Sequence, residues 1–110
     1  MTEKYEVSYS PAALDDLRTI YSYIAYECSS PTNAQNQLNR IRKKIRSLDI
    51  FPERYQKTDI PPWADREVHR LPVDHYIIFY QIDFTEFKVI ILRIVYEGKE
   101  LKRIWNSLDI

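Results

Sequence analysis

The chain has 110 residues, 45% of them hydrophobic and 14% aromatic, with sixteen basic and sixteen acidic side chains that cancel at neutral pH. That composition excludes a disordered chain and fits one domain, spanning 1–110, long enough for a single core. A lone cysteine, Cys28, excludes an internal disulfide and suits a reducing compartment; no apolar run is long enough for a membrane span, so a soluble cytoplasmic protein is expected.

The zero net charge hides an asymmetry. Residues 31–48 carry Arg40, Arg42, Lys43, Lys44 and Arg46 with no acid among them, while 10–28 carry Arg18 against Asp15, Asp16 and Glu27. A basic element on a neutral molecule reads either as a solvated helix face or as the seat of an anionic partner.

In chain order, Tyr5, Val7 and Tyr9 alternate with polar residues, the period of a short strand with one face buried. Ser10-Pro11 then signals a helix start, serine as cap and proline at the first helical position, with Asp15 and Asp16 near the positive end of the dipole. Leu14, Leu17, Tyr21, Ile24 and Cys28 recur at three- and four-residue spacing and predict an apolar stripe, with Cys28 as core. Ser30-Pro31 repeats the start signal. Ala34, Leu38, Ile41, Ile45 and Leu48 predict the buried face of a second helix, an αα-hairpin partner of the first, stopped at Phe51-Pro52.

Residues 52–65 show no periodicity and contain three prolines; Tyr55 and Trp63 are the candidates for pinning that loop to the body. Three β-like runs follow between Asp65 and Glu100. Tyr76–Ile82 and Lys88–Tyr96 are dense in β-branched and aromatic residues, and their short links predict an antiparallel meander. Leu101, Ile104, Trp105 and Leu108 have the spacing of a short terminal helix. The expected fold is α+β: a four-stranded, mainly antiparallel sheet with the αα-hairpin on one face and the other face left for water or a partner, in the order β-α-α-β-β-β.

That order, with YSPAALDDLRTIYSYI, IRSLDIFPERY, REVHRLPVDHYIIFYQID and VIILRIVYEGKEL, resembles the RelE/ParE superfamily of type II toxin–antitoxin modules. Arg93, Tyr96, Gly98, Lys99 and Glu100 match the end of the last strand in ParE-like and unassigned members, with lysine in place of the commoner arginine at 99. The resemblance implies a growth-inhibiting toxin, of the kind that stabilises plasmids, silenced by a cognate antitoxin. Its target would be either DNA gyrase or ribosome-bound mRNA, cut by an mRNA interferase; a fold kept only as an inactive binding module is the alternative. No cofactor or metal is expected.

Metal-free RNA cleavage needs a base for the ribose hydroxyl, cations on the phosphate and an acid for the leaving oxygen. Arginine stays protonated, so Arg70 and Arg93 would be phosphate clamps, and Tyr96, Lys99 and His69 are the proton-transfer candidates. Strand alternation puts His69 on the face opposite Arg70. The expected catalytic set is Arg70, Arg93, Tyr96 and Lys99, meeting at one end of the sheet, with Arg40, Arg42, Lys43 and Arg46 facing antitoxin or another anion. Against a nuclease, Ile77 stands where the resemblance places a further arginine. Arg93 also has a structural reading: it pairs with Glu67 or Asp74, or points to solvent.

Overall fold

The computed structural model describes residues 3–61 and 63–97. Strand β1 (Glu6–Tyr9) leads into helix α1 (Pro11–Ser22), which runs on as a wider π-helical turn over Tyr23–Glu27; helix α2 (Pro31–Arg46) comes next. Strands β2 (His69–Val73), β3 (Tyr76–Asp83) and β4 (Lys88–Tyr96) complete a sheet of order β1-β4-β3-β2. The β2–β3 and β3–β4 pairs are antiparallel, and β1 lies parallel to β4. The sheet is therefore mixed, with one parallel pair at its edge: the helices carry the chain from β1 across to β2 at the opposite edge, and the antiparallel β2-β3-β4 meander brings it back beside β1. The expected terminal helix, Gly98, Lys99 and Glu100 lie outside the described residues.

Both helix starts depend on their serines. Ser10 Oγ accepts from Ala13 N–H at 3.0 Å and donates to the Leu92 carbonyl at 2.8 Å, tying the start of α1 to β4. Ser30 Oγ accepts from Asn33 N–H at 3.3 Å. Helix α2 buries Ala34, Leu38, Ile41 and Ile45 as its spacing predicts, with Leu48 buried just beyond; α2 ends at Arg46 and a 3-10 turn carries the chain to Asp49, before the expected stop.

Helix α1 departs from expectation. Its buried face is Ala13, Leu17 and Ile20; Leu14 is exposed, and Tyr21 and Ile24 pack only at the margin. The π turn, closed by Cys28 N–H donating to the Tyr23 carbonyl at 3.1 Å, rotates the next residues away from the α-helical stripe. Ala25 is buried there in place of Cys28, which is exposed and not core.

The main core lies between the helices and one sheet face, where Leu71, Val73, Ile78, Tyr80, Val89, Ile91 and Ile94 meet α1 and α2. The opposite face is not left open. Trp63, Val68, Ile77, Phe79 and Val95 form a second buried cluster with Ile60 and Leu92 packed against it, Trp63 and Phe79 rings being 5.0 Å apart. The aperiodic 52–65 segment supplies that cover, and it also lines the outer edge of β2. Thr58 N–H donates to Val68 O at 2.7 Å, and Arg70 N–H donates to Gln56 O at 2.8 Å. An edge strand that would otherwise present free backbone groups is thus partly paired.

Candidate functional site

Strand register decides what each candidate side chain can reach. In β2, His69, Leu71 and Val73 face the helices, so Arg70 faces the Trp63 side. His69 is buried, stacks on Tyr80 with ring centroids 5.2 Å apart, and its Nδ1 lies 2.7 Å from the Tyr55 carbonyl. A carbonyl only accepts, so Nδ1 carries the proton and His69 is committed to holding the loop. Tyr80 is committed likewise: its hydroxyl donates to the Pro52 carbonyl at 2.6 Å, and burial pushes that hydroxyl far above the ordinary tyrosine range.

Arg70 and Arg93 both stand opposite Phe79, on its two neighbouring strands. Two interstrand spacings separate them, about 10 Å between Cα atoms. Their fates differ. Arg93 sits where the β3–β4 register slips between Phe79 and Tyr80. Its Nε and Nη2 donate to Asp16 Oδ2 at 2.8 Å and Oδ1 at 2.9 Å. Asp16 Oδ2 also accepts from Ile94 N–H at 2.8 Å. Among the described residues the outer edge of β4 has no strand neighbour beyond the end of β1, and the Asp16 carboxylate meets its Ile94 N–H there. The two side chains are 25% and 14% exposed, so the pair is largely shielded from water. The partner of Arg93 is neither Glu67 nor Asp74: Glu67 pairs with Lys57, and Asp74 with Arg40. Among the described residues Arg70 has no carboxylate partner and is only partly buried.

Tyr96 lies at the far end of β4, 53% exposed, its ring 5.6 Å from Tyr76 across the strand pair and 6.4 Å from His75. Tyr76 belongs to the helix-side core, so Tyr96 and Arg70 occupy opposite faces. The structure does not bring Arg70, Arg93 and Tyr96 together at one end; Lys99 falls outside the described residues.

The basic helix divides as well. Arg40 Nε donates to Asp74 Oδ2 at 2.8 Å, and the same oxygen accepts from the buried Gln37 at 2.9 Å. These two bonds, that from Arg40 first, hold the Asp74 carboxyl below the usual carboxylate range. Arg42, Lys43 and Arg46 are exposed. Arg42 stands at the rim of a groove of about 490 Å³ between α1 and α2, floored by Leu14, Leu17, Tyr21 and Leu38. Sequence patterning missed this groove because Leu14 and Tyr21 look like core on a helical wheel.

The family model of the ParE toxin of the type II toxin–antitoxin system parDE matches residues 7–106. The chain belongs to the ParE toxin family. Among curated proteins no sequence match is found. Of solved structures, the chromosomal ParDE system of P. aeruginosa superposes with a TM-score of 0.70 at 16% identity, covering 86% of this chain and 98% of that one. The toxin–antitoxin complex RelBE2 of Mycobacterium tuberculosis gives 0.60 at 20% identity, covering 86% and 92%. A mutant of E. coli RelE in the free state gives 0.60 at 16%, covering 94% and 92%. Likeness at these identities speaks for the fold. Within this ParE-family chain, the feature that sequence reasoning missed is Asp16. It is 77 positions from Arg93 and carries no local signal of its role.

Proposed function

We propose that this ParE-family chain is the toxin of a type II toxin–antitoxin module and that it stops growth by binding DNA gyrase, not by cutting RNA. The observation that carries the reading is the Asp16–Arg93 pair. Electrostatic catalysis on a phosphodiester needs cations aimed at the phosphate before it arrives. Arg93 is already neutralised in a bidentate pair, Arg70 lies across the sheet from Tyr96, and Ile77 is apolar. A gyrase-directed toxin needs only a binding surface and loses nothing by this arrangement.

The antitoxin partner belongs to the same reading. A segment that folds on contact would lay apolar anchors on Leu14, Leu17 and Leu38 and set acidic residues against Arg42, Lys43 and Arg46, with Arg40 left to Asp74.

The test is a supercoiling assay with purified gyrase beside a cleavage assay on ribosome-bound mRNA, each with and without the protein encoded by the neighbouring gene. Supercoiling blocked, mRNA intact and the block relieved by the neighbour is the expected result. Cleaved mRNA with active gyrase would overturn the target. Neither effect would leave the fold as a binding module.

A further inference from the structure

Four of the large apolar side chains exposed among the described residues gather at one tip: Ile50, Phe51, Phe84 and Phe87. Three segments meet there. Tyr5 N–H donates to Asp49 O at 2.7 Å, Lys4 bridges to Ile50, and Glu6 N–H donates to Phe87 O at 2.9 Å. The Tyr5 ring then lies edge-on to Phe87 at 5.6 Å and to Phe84 at 6.3 Å. Tyr5, Phe84 and Phe87 thus form an aromatic patch, with exposed Ile50 and Phe51 on the adjoining segment; exposed apolar surface of that kind marks an interaction site when rimmed by polar groups.

Two features say more than exposure does. Phe51 and Phe87 both have left-handed backbones, with φ of 48° and 54°. A Cβ in that conformation crowds the following carbonyl, and glycine or asparagine would carry either turn without strain. Burial does not offset this at Phe51, 55% exposed; Phe87 is 39% exposed, with its covered part packed on Tyr5. An exposed aromatic ring on a left-handed backbone at Phe51 costs the fold without a matching contact, which points to a use outside it. The second feature is charge. Segments 3–6, 49–54 and 83–88 each carry one net negative charge. The guanidinium of Arg54 is occupied by the carbonyls of Ser47, Ile50 and Phe51, and so does little to offset the carboxylates.

We propose that this tip is a docking surface for a basic protein segment with apolar anchors. The anchors would seat on Phe51, Phe84 and Phe87, and lysine or arginine would meet Glu53 and Glu86. Its sign is opposite to that of α2, so it recruits a partner of different chemistry from an acidic antitoxin segment. It does not depend on the gyrase reading.

The test uses the full chain, isotope-labelled, and three short synthetic peptides: lysine–leucine–tryptophan, its glutamate counterpart, and a lysine–serine peptide without anchors. The basic apolar peptide should bind at least about tenfold more tightly than either control and shift amide signals in segments 3–6, 49–54 and 83–88. The double variant Phe51→Gly, Phe87→Gly should lose about tenfold in affinity while its melting temperature holds or rises, because glycine relieves the left-handed strain. Phe84→Ser, in the exposed loop, should lose affinity with the fold intact even where the double variant folds poorly. No preference among the peptides, shifts mapped to α2 or elsewhere, or unchanged affinity in Phe84→Ser would each overturn the proposal. Self-association of the parent, lost in Phe84→Ser, would also overturn it and assign the tip to a second copy.

Discussion

Replacing Asp16 with alanine is expected to destabilise the fold by about 2–3 kcal/mol, more than a surface ion pair and less than a fully buried one. The carboxylate accepts three hydrogen bonds: from Arg93 Nε at 2.8 Å, from Arg93 Nη2 at 2.9 Å and from Ile94 N–H at 2.8 Å. Alanine leaves a guanidinium that is only 25% exposed without its counter-charge, and leaves the Ile94 N–H on the β4 edge without its acceptor. A hydrogen bond to a charged group is worth about 1.5–3 kcal/mol, and three on one carboxylate do not add in full. Asp16→Asn keeps a carbonyl oxygen for Ile94 N–H and loses the charge, so about 1–2 kcal/mol is expected. The cycle is completed by Arg93→Met, which removes the charge and keeps much of the volume; the coupling between the two sites should be about 1–2 kcal/mol. Urea unfolding monitored by tryptophan fluorescence measures every protein of the cycle, with the buried Trp63 as reporter. A cost below about 0.5 kcal/mol for Asp16→Ala, or a cycle that closes to zero, would refute the clamp. Arg93 would then be free for substrate, and the main support for a non-catalytic toxin would go with it.

Three other perturbations test separate parts of the fold. Ile41 is fully buried at the centre of the α2 face, so Ile41→Ala should cost about 2–5 kcal/mol in the same urea experiment. Tyr80→Phe orphans the buried Pro52 carbonyl and should cost about 1–2 kcal/mol at neutral pH. Because burial raises the folded-state value of Tyr80, stability should be full below about pH 10 and fall as the pH rises beyond it; the variant should show a shallower alkaline fall. Asp74 works in the opposite sense. Its folded value lies below the unfolded one, so its contribution is present above about pH 4 and lost as the pH falls through the folded value; Asp74→Asn should flatten that acid limb.

Helix α2 was legible because its buried residues keep a strict helical period over four turns and nothing local competes with it. The β3 and β4 strands were legible from their β-branched and aromatic density, and β1 from its alternation. Helix α1 misled for a physical reason. A π turn changes the residue count per turn, and no residue in Tyr23–Glu27 marks that change, so a stripe drawn at constant period ends on Cys28 when the chain buries Ala25. The 52–65 segment misled differently. It lacks periodicity because it is neither α-helix nor strand, yet Ile60 and Trp63, with Val68 just beyond, cover the centre of the sheet face opposite the helices.

The candidate site shows where residue type stops being informative. Arg70 and Arg93 are the same side chain, in register with the same phenylalanine, and a sequence reading has to treat them alike. What separates them is what each guanidinium already binds. A cation stabilises a developing phosphate charge only to the extent that its own charge is not already matched in the ground state. To clamp a phosphate, Arg93 would first have to leave two well-formed bonds to Asp16, and the Ile94 N–H would keep that carboxylate in place as a repelling charge beside the substrate. The same geometry that makes Asp16 valuable to the sheet edge therefore makes Arg93 a poor catalytic cation. A nuclease built on this fold would need its phosphate contacts from Arg70 and from residues beyond Glu97.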